Sequence, residues 1–279
     1  MPIASPSKPP VVWSIAGHDP SSGAGFTADL LTFAAHGLFA ATVPTALTAQ
    51  STLGVAAVEP VRAEFLRLSL ETLLADLPPA GIKIGMLGSA DAAGVIADVL
   101  RRLSISGEKR PPIPVVLDPV LVSSSGRALF PTEAIEELHA RLLPLVTFAT
   151  PNYAELSTLT GLSVSSESQA REAGDTLALR HPQLNLVVTG GDREQPTDLL
   201  RTTEGTWTAF PGARIESTST HGTGCAFSSA LLAGLVLGAG PLAAVAGAKS
   251  FVSEGIRLAK GIGGGRGPLH LTWPLDRKA

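Results

Sequence analysis

Val11-Val12-Trp13-Ser14-Ile15-Ala16-Gly17-His18-Asp19-Pro20-Ser21-Ser22-Gly23-Ala24-Gly25 passes from an apolar run into a polar loop bounded by glycines. The run reads as a buried strand, and a helix over about 26–36 is expected to follow. Strand, glycine loop, helix is how a doubly wound sheet begins, with ligands beyond the carboxyl end of the strand. Gly23-Ala24-Gly25-Phe26-Thr27-Ala28 matches the dinucleotide-binding fingerprint on paper, but its context does not. Six loop residues precede it, and after Asp29 the next acidic residue is Glu59, too far on for a ribose contact.

The same grammar recurs downstream. Ile82-Lys83-Ile84-Gly85-Met86-Leu87 reads as a strand. Pro112–Leu117 delivers Asp118-Pro119-Val120, and Leu143–Thr150 delivers Pro151-Asn152-Tyr153-Ala154-Glu155. Asn185–Thr189 runs into Gly190-Gly191-Asp192. Phe39–Thr48 is β-rich and is expected to end in a polar loop over 49–55. Helices are expected over about 62–77, 90–103 and 241–259, with a hairpin at 199–210. Strands alternating with helices imply an α/β fold with a mostly parallel sheet and helices on both faces. In such a sheet Asp19, Asp29, Asp118, Asn152, Glu155 and Thr189 converge on one side.

Thr220-His221-Gly222-Thr223-Gly224-Cys225 opens a helix of small and apolar residues. The unpaired N–H groups of a helix's first turn make an anion site. A cysteine held there is expected to favour its thiolate and to serve as a base. Such a turn can neutralise a transferring phosphoryl group while the cysteine takes a proton from the acceptor hydroxyl. Asp118 and Glu155 are candidate Mg2+ ligands, through water. Gln50 offers an amide suited to an aminopyrimidine edge, and Met86 a thioether suited to a flat ring. Each also has a plain reading: Asp118 as a turn former, Glu155 as a helix cap, Gln50 as a loop residue, Met86 as core, His18 and His221 as backbone partners.

Bulk properties narrow the class. The chain has 279 residues, 44% of them hydrophobic and 5% aromatic, so Leu, Val, Ile and Ala build the core. That suits one large α/β domain over 11–279 behind a flexible, proline-rich segment 1–10. A net charge of −3 implies no nucleic-acid partner. The single cysteine excludes an internal disulfide, and with no signal-like or membrane-spanning run a cytoplasmic protein is expected.

Ala16–Gly25 with Ala28-Asp29-Leu30, Ala49–Val55, Lys83–Leu87, Leu117–Val120, Thr150–Asn152 with Glu155, His221–Cys225 and Gly265–His270 together resemble the hydroxymethylpyrimidine/phosphomethylpyrimidine kinases of thiamine biosynthesis. The resemblance follows the family's order over nearly the whole chain. It implies a three-layer αβα ribokinase-like fold and ATP-dependent phosphorylation of 4-amino-5-hydroxymethyl-2-methylpyrimidine and of its monophosphate. It also implies Cys225 as base, where the wider ribokinase family places aspartate, and Gly222, Thr223 and Gly224 as the anion hole. Gly17, Asp29, Gln50 and Met86 would meet the pyrimidine. Asn152, Thr189, Gly191 and His221 would meet nucleotide or phosphate, and Asp118 and Glu155 would serve Mg2+. A homodimer is expected.

The chain departs from the family at four positions. Thr189 and Ser124 stand where lysines are usual, and His18 and Ser22 replace threonine and glycine. Arg127 or Arg193 is a candidate to restore the lost charge. A pyridoxal kinase of the same cysteine-containing type, or a pyrimidine binder without kinase activity, are the alternatives.

Overall fold

The computed structural model describes residues 8–105, 113–123, 126–191 and 193–276. Residues 1–7 of the expected N-terminal segment, Ser124 and Ser125 of the loop after Asp118, and Asp192 lie outside the described residues.

The chain opens with β1 (Val11–His18), α1 (Gly25–Ala35), β2 (Phe39–Ser51), β3 (Gly54–Pro60), α2 (Ala63–Asp76), β4 (Gly81–Ile84) and α3 (Ala90–Ile105). β5 (Val115–Leu117), α4 (Ile135–Glu137), β6 (Phe148–Ala149), α5 (Tyr153–Thr160) and α6 (Glu167–Arg180) follow. It closes with β7 (Asn185–Val188), β8 (Asp198–Arg201), β9 (Trp207–Phe210), α7 (Thr223–Val236), α8 (Pro241–Arg257) and α9 (Trp273–Asp276). The nine strands form one sheet in the order β3-β2-β1-β4-β5-β6-β7-β8-β9. From β2 to β7 neighbouring strands are parallel, while β3, β8 and β9 pair antiparallel at the two edges.

Strand alternation sorts the core into two layers. Trp13, Ile15, Val115, Leu117, Leu186 and Val188 pack with α2, α3, α5 and α6. Val12, Val116 and Val187, on the opposite pleat, pack with α1, α7 and α8. Each large side chain so buried contributes roughly 1.5–3 kcal/mol relative to exposure. This is the expected αβα sandwich. β1 lies between β2 and β4, so the order in which strands are added reverses beside it and a crevice opens at the strands' carboxyl ends.

Two expected boundaries differ. The stretch 49–55 is a hairpin, not a loop: β2 continues to Ser51 and β3 returns from Gly54. Its pairing shifts at Ala49/Gln50, and Thr52-Leu53 makes the turn. The expected strand 143–150 shrinks to Phe148–Ala149, because 132–145 forms successive short helical turns, including a π turn at Leu138–Leu142. Leu138, Leu142 and Leu143 are all buried there. A helix also occupies 167–180, capped by Ser166, with Ala170, Ala173, Gly174 and Leu177 spaced for one buried face.

The π turn carries His139 into the core beside His181. His139 Nε2 lies 2.8 Å from the Leu159 carbonyl and Nδ1 lies 2.9 Å from His181 Nε2. The carbonyl only accepts, so Nε2 of His139 holds the proton and Nδ1 accepts from His181. Burial holds both rings below the usual histidine range, and His181, also beside His139 and Arg180, is lowered to about 4. The unfolded chain therefore binds protons that the folded chain refuses. Stability should be full above about pH 6.5 and fall as pH drops toward 4. Urea unfolding of His181→Asn should show a flatter pH dependence over that window; an unchanged slope would contradict this assignment.

Candidate active site

Beneath the crevice lies a lysine that the sequence reading passed over. Lys83 is the second residue after Gly81 in a strand that is buried throughout. Its Nζ meets both oxygens of Asp29 at 2.9 Å, and both side chains are fully buried. Asp29 also accepts from Ser14 Oγ at 2.5 Å and Ser229 Oγ at 2.8 Å. Strands β1 and β4 and helices α1 and α7 thus meet in one polar knot. Burial alone would discharge the ammonium, but Asp29, Cys225 and Asp118 together hold its pKa above the usual lysine range. Asp29, expected at the pyrimidine, therefore forms the floor of the crevice with its oxygens already engaged.

Over this floor stands the turn 221–225. Gly222 is the N-cap of α7 in the left-handed region, φ 80°, and no side chain caps the helix. The amides of Thr223 and the residues after it thus lack a side-chain acceptor. A Cβ on Gly222 would fall 1.8 Å from the Gly23 carbonyl, and one on Gly224 would rest 3.7 Å from Asp118 Oδ2. Asp118 accepts from Ser228 Oγ at 3.3 Å. Burial raises its carboxyl above the ordinary range, against the pull of Lys83.

Cys225 is half-buried, and the expectation of a resting thiolate is corrected. Burial pushes its thiol up to about 12, with Lys83 and the Gly25 N–H opposing and Asp118 and Asp29 reinforcing. Lys83 pulls the thiol down, but burial and the two carboxylates outweigh it.

The other expected residues sort into two groups. On the β1–β2–β4 side, Met86 is buried against Gly17, where a Cβ would meet its Sδ at 2.9 Å. Gln50, at the end of β2, contacts His221 Nε2 at 3.1 Å. His221 also bonds Asp19 Oδ2 at 2.7 Å, and His18 stacks on Phe26. Ser22 has φ 58°, a left-handed position that explains why glycine is usual there. On the β6–β7 side, Asn152 and Thr189 face each other in a parallel bridge. Glu155 and Asn152 form a reciprocal capping box at α5. Gly190 donates to Asp198 Oδ1 at 2.9 Å, and Lys249 holds Oδ2 at 2.7 Å. Gly191 has no neighbour within reach of a Cβ. Arg193 lies over the Tyr153 ring at 4.5 Å, whereas Arg127 donates to the Val55 and Ala56 carbonyls of β3.

Of these, Lys83, Ser14, Ser229, Asp198 and Lys249 were missed. A lysine inside an otherwise apolar strand is the one signal that could have found Lys83. Among the described residues no group of three or more His, Cys, Asp or Glu side chains is placed to hold a metal ion.

An open parallel sheet with a glycine turn, a cysteine and a charged floor at its switch point defines a small-molecule kinase of the ribokinase-like class. The chain belongs to the phosphomethylpyrimidine kinase family, whose model matches residues 19–270. A hydroxymethylpyrimidine/phosphomethylpyrimidine kinase of Rhizobium meliloti is 39% identical over 264 residues, which is 93% of this chain and 96% of the relative. Among solved structures, a pyridoxal kinase from Staphylococcus aureus in complex with ADP superposes with a TM-score of 0.83 at 28% identity, over 96% of this chain and 95% of that one. A phosphomethylpyrimidine kinase from Clostridium difficile gives a TM-score of 0.74 at 32% identity, over 88% and 98%.

The floor makes a direct prediction. Lys83→Met leaves Asp29 buried without its cation and should cost about 3–5 kcal/mol of stability. Replacing both, Lys83→Met with Asp29→Leu, should recover most of that. Urea unfolding checks it; a single variant as stable as wild type would contradict it.

Proposed function

We propose that this protein transfers the terminal phosphoryl group of ATP to the hydroxymethyl group of 4-amino-5-hydroxymethyl-2-methylpyrimidine, and to the phosphate of the resulting monophosphate. The observation that carries this is the Gly222-Thr223-Gly224-Cys225 turn over buried Asp118 and Lys83, with Met86, Gly17 and Gln50 beside it. The pyrimidine lies across Met86 and Gly17 with its amino edge toward Gln50. Cys225 first gives its own thiol proton to solvent; the thiolate so formed then takes the hydroxyl proton as the oxygen bonds to phosphorus, and the bond to the leaving ADP oxygen breaks. The amides of Gly222, Thr223 and Gly224 meet the charge that moves. Lys83 supplies the nearest fixed positive field.

The nucleotide lies on the β6–β7 side, along Asn152, Thr189 and Gly191. Arg193, next to the Gly190–Gly191 turn and over the Tyr153 ring, takes over charge that Thr189 does not supply. Asp118 and Glu155 are the carboxylates that would reach the water shell of a phosphate-bound Mg2+, which would supply neutralising charge there. The chain acts as one domain over 11–279, in the cytoplasm and as a homodimer. Among the described residues no helix is long and apolar enough to cross a membrane, and Leu47 and Leu53 at the β2–β3 edge are exposed.

The likeness to pyridoxal kinases keeps pyridoxal as the second reading. Competition for Mg-ATP-dependent transfer between the two heterocycles separates them. The pyrimidine should be preferred at least tenfold in kcat/KM, and Gln50→Ala should lower that preference by about 1–3 kcal/mol. Transfer to pyridoxal alone would overturn the assignment, and binding without transfer would make the chain a pyrimidine binder.

A further inference from the structure

His221 is the point where three separately built pieces of the site touch. Its backbone N–H donates to the Gly267 carbonyl at 3.0 Å, next to a parallel bridge with Pro268. Its ring is 8% exposed, and Nε2 lies 2.7 Å from Asp19 Oδ2. A carboxylate bonded at that distance only accepts, so Nε2 carries the proton.

Asp19 is ordered before it meets the histidine. Its Oδ1 accepts the Ser21 N–H at 2.9 Å and the Ser21 hydroxyl at 2.7 Å, and its Oδ2 accepts the Ala24 N–H at 2.9 Å. Burial alone would raise its carboxyl, yet the bonds from His221 and Ser21 hold it below the usual range. The first loop thus presents His221 with a fixed, charged acceptor.

Gln50 approaches from β2. The single Nε2 proton of His221 goes to Asp19, so Gln50 touches the ring at 3.1 Å as a polar neighbour and takes no second full hydrogen bond from it. Its amide oxygen lies 3.2 Å from Thr48 Oγ1, whose hydroxyl donates to the His18 carbonyl at 2.7 Å. Contacts thus run from the first loop, through the hairpin strand, to His221 and back to Asp19.

The next residue is Gly222, whose bare Cα packs on the Gly23 carbonyl, while Gly23 leaves room for the His221 ring. With no side-chain cap of its own, the turn takes its position from the residue before it.

We propose that His221 is a positioning residue. Anchored by Asp19, it sets the direction of the Gly222, Thr223 and Gly224 amides, and through Gln50 it links that direction to the pyrimidine side. This rests on the kinase reading above, and it replaces the expectation that His221 itself meets phosphate.

The test compares His221→Leu, His221→Gln, which keeps an N–H donor of similar reach, and Asp19→Asn. Rates are measured with whichever hydroxymethyl heterocycle the wild type phosphorylates, so failure of the pyrimidine reading shows in the wild type alone. His221→Leu should lower kcat about 100-fold and shift the KM for ATP less than about threefold, and His221→Gln should restore most of the rate. Asp19→Asn added to His221→Leu should cause little further loss. An unchanged kcat, a loss falling on the ATP KM, a Gln variant no better than Leu, or additive losses would each overturn the proposal. Backbone amide spectra cover a variant too unstable to assay and a wild type without turnover. The Gly222 and Gly224 signals should move in His221→Leu or Asp19→Asn and stay near wild type in His221→Gln; unmoved signals overturn the proposal.

Discussion

Lys83 and Asp29 form a fully buried ion pair between the sheet and α1. Two charges taken out of solvent are costly, and they are tolerated only where every remaining donor and acceptor is met. Here Ser14 and Ser229 add two donors to the carboxylate, so the pair joins β1 and β4 to α1 and α7. The same four elements surround the crevice. Shifting α7 would strand a buried carboxylate, and shifting β4 would strand a buried ammonium. The position of the turn above them follows from that constraint.

Two glycine-bearing loops complete the arrangement by direct backbone contact. Gly25, at φ 61°, approaches the Gly17 carbonyl so closely that a Cβ would lie 2.2 Å from it, and Gly222 approaches Gly23. Side chains at either place would separate the loops and lift the α7 amides from Asp118. The later glycines act similarly. A Cβ on Gly265 would fall 2.2 Å from the Thr52 carbonyl, so the 261–267 segment supports the β2–β3 turn from below. Gly25, Gly222 and Gly265, which read as loop signals in the sequence, are close-packing contacts in the fold.

What was legible in the sequence was what local pattern encodes. Val11–Ala16 with its loop gave the sheet's first strand and the switch point, because an apolar run meeting a polar glycine loop has few other solutions. The strand ends at Asp118, Asn152 and Thr189 were legible for the same reason. The β2–β3 hairpin was hidden, since Gln50, Ser51 and Thr52 are polar residues on an exposed edge. The strand at 148–149 is short because Leu143 and Val146 are buried by helical turns, which an apolar count cannot distinguish from a strand. Pairings between distant site residues were illegible: Lys83 and Asp29 are separated by 54 positions and Asp19 and His221 by 202. The state of Cys225 was misread because a helix N-terminus was weighed without the burial of the thiol and the two carboxylates beside it.

The central claim is that the buried ion pair serves chemistry as well as folding, and single-turnover phosphate transfer by Lys83→Met/Asp29→Leu tests it. That variant exchanges the charges for apolar volume, so a folded protein can be compared with wild type at saturating ATP and pyrimidine. The account predicts a folded protein whose transfer step is slower by about 100-fold or more. Transfer within a few-fold of wild type would mean that the pair only holds the fold together, and would contradict the account.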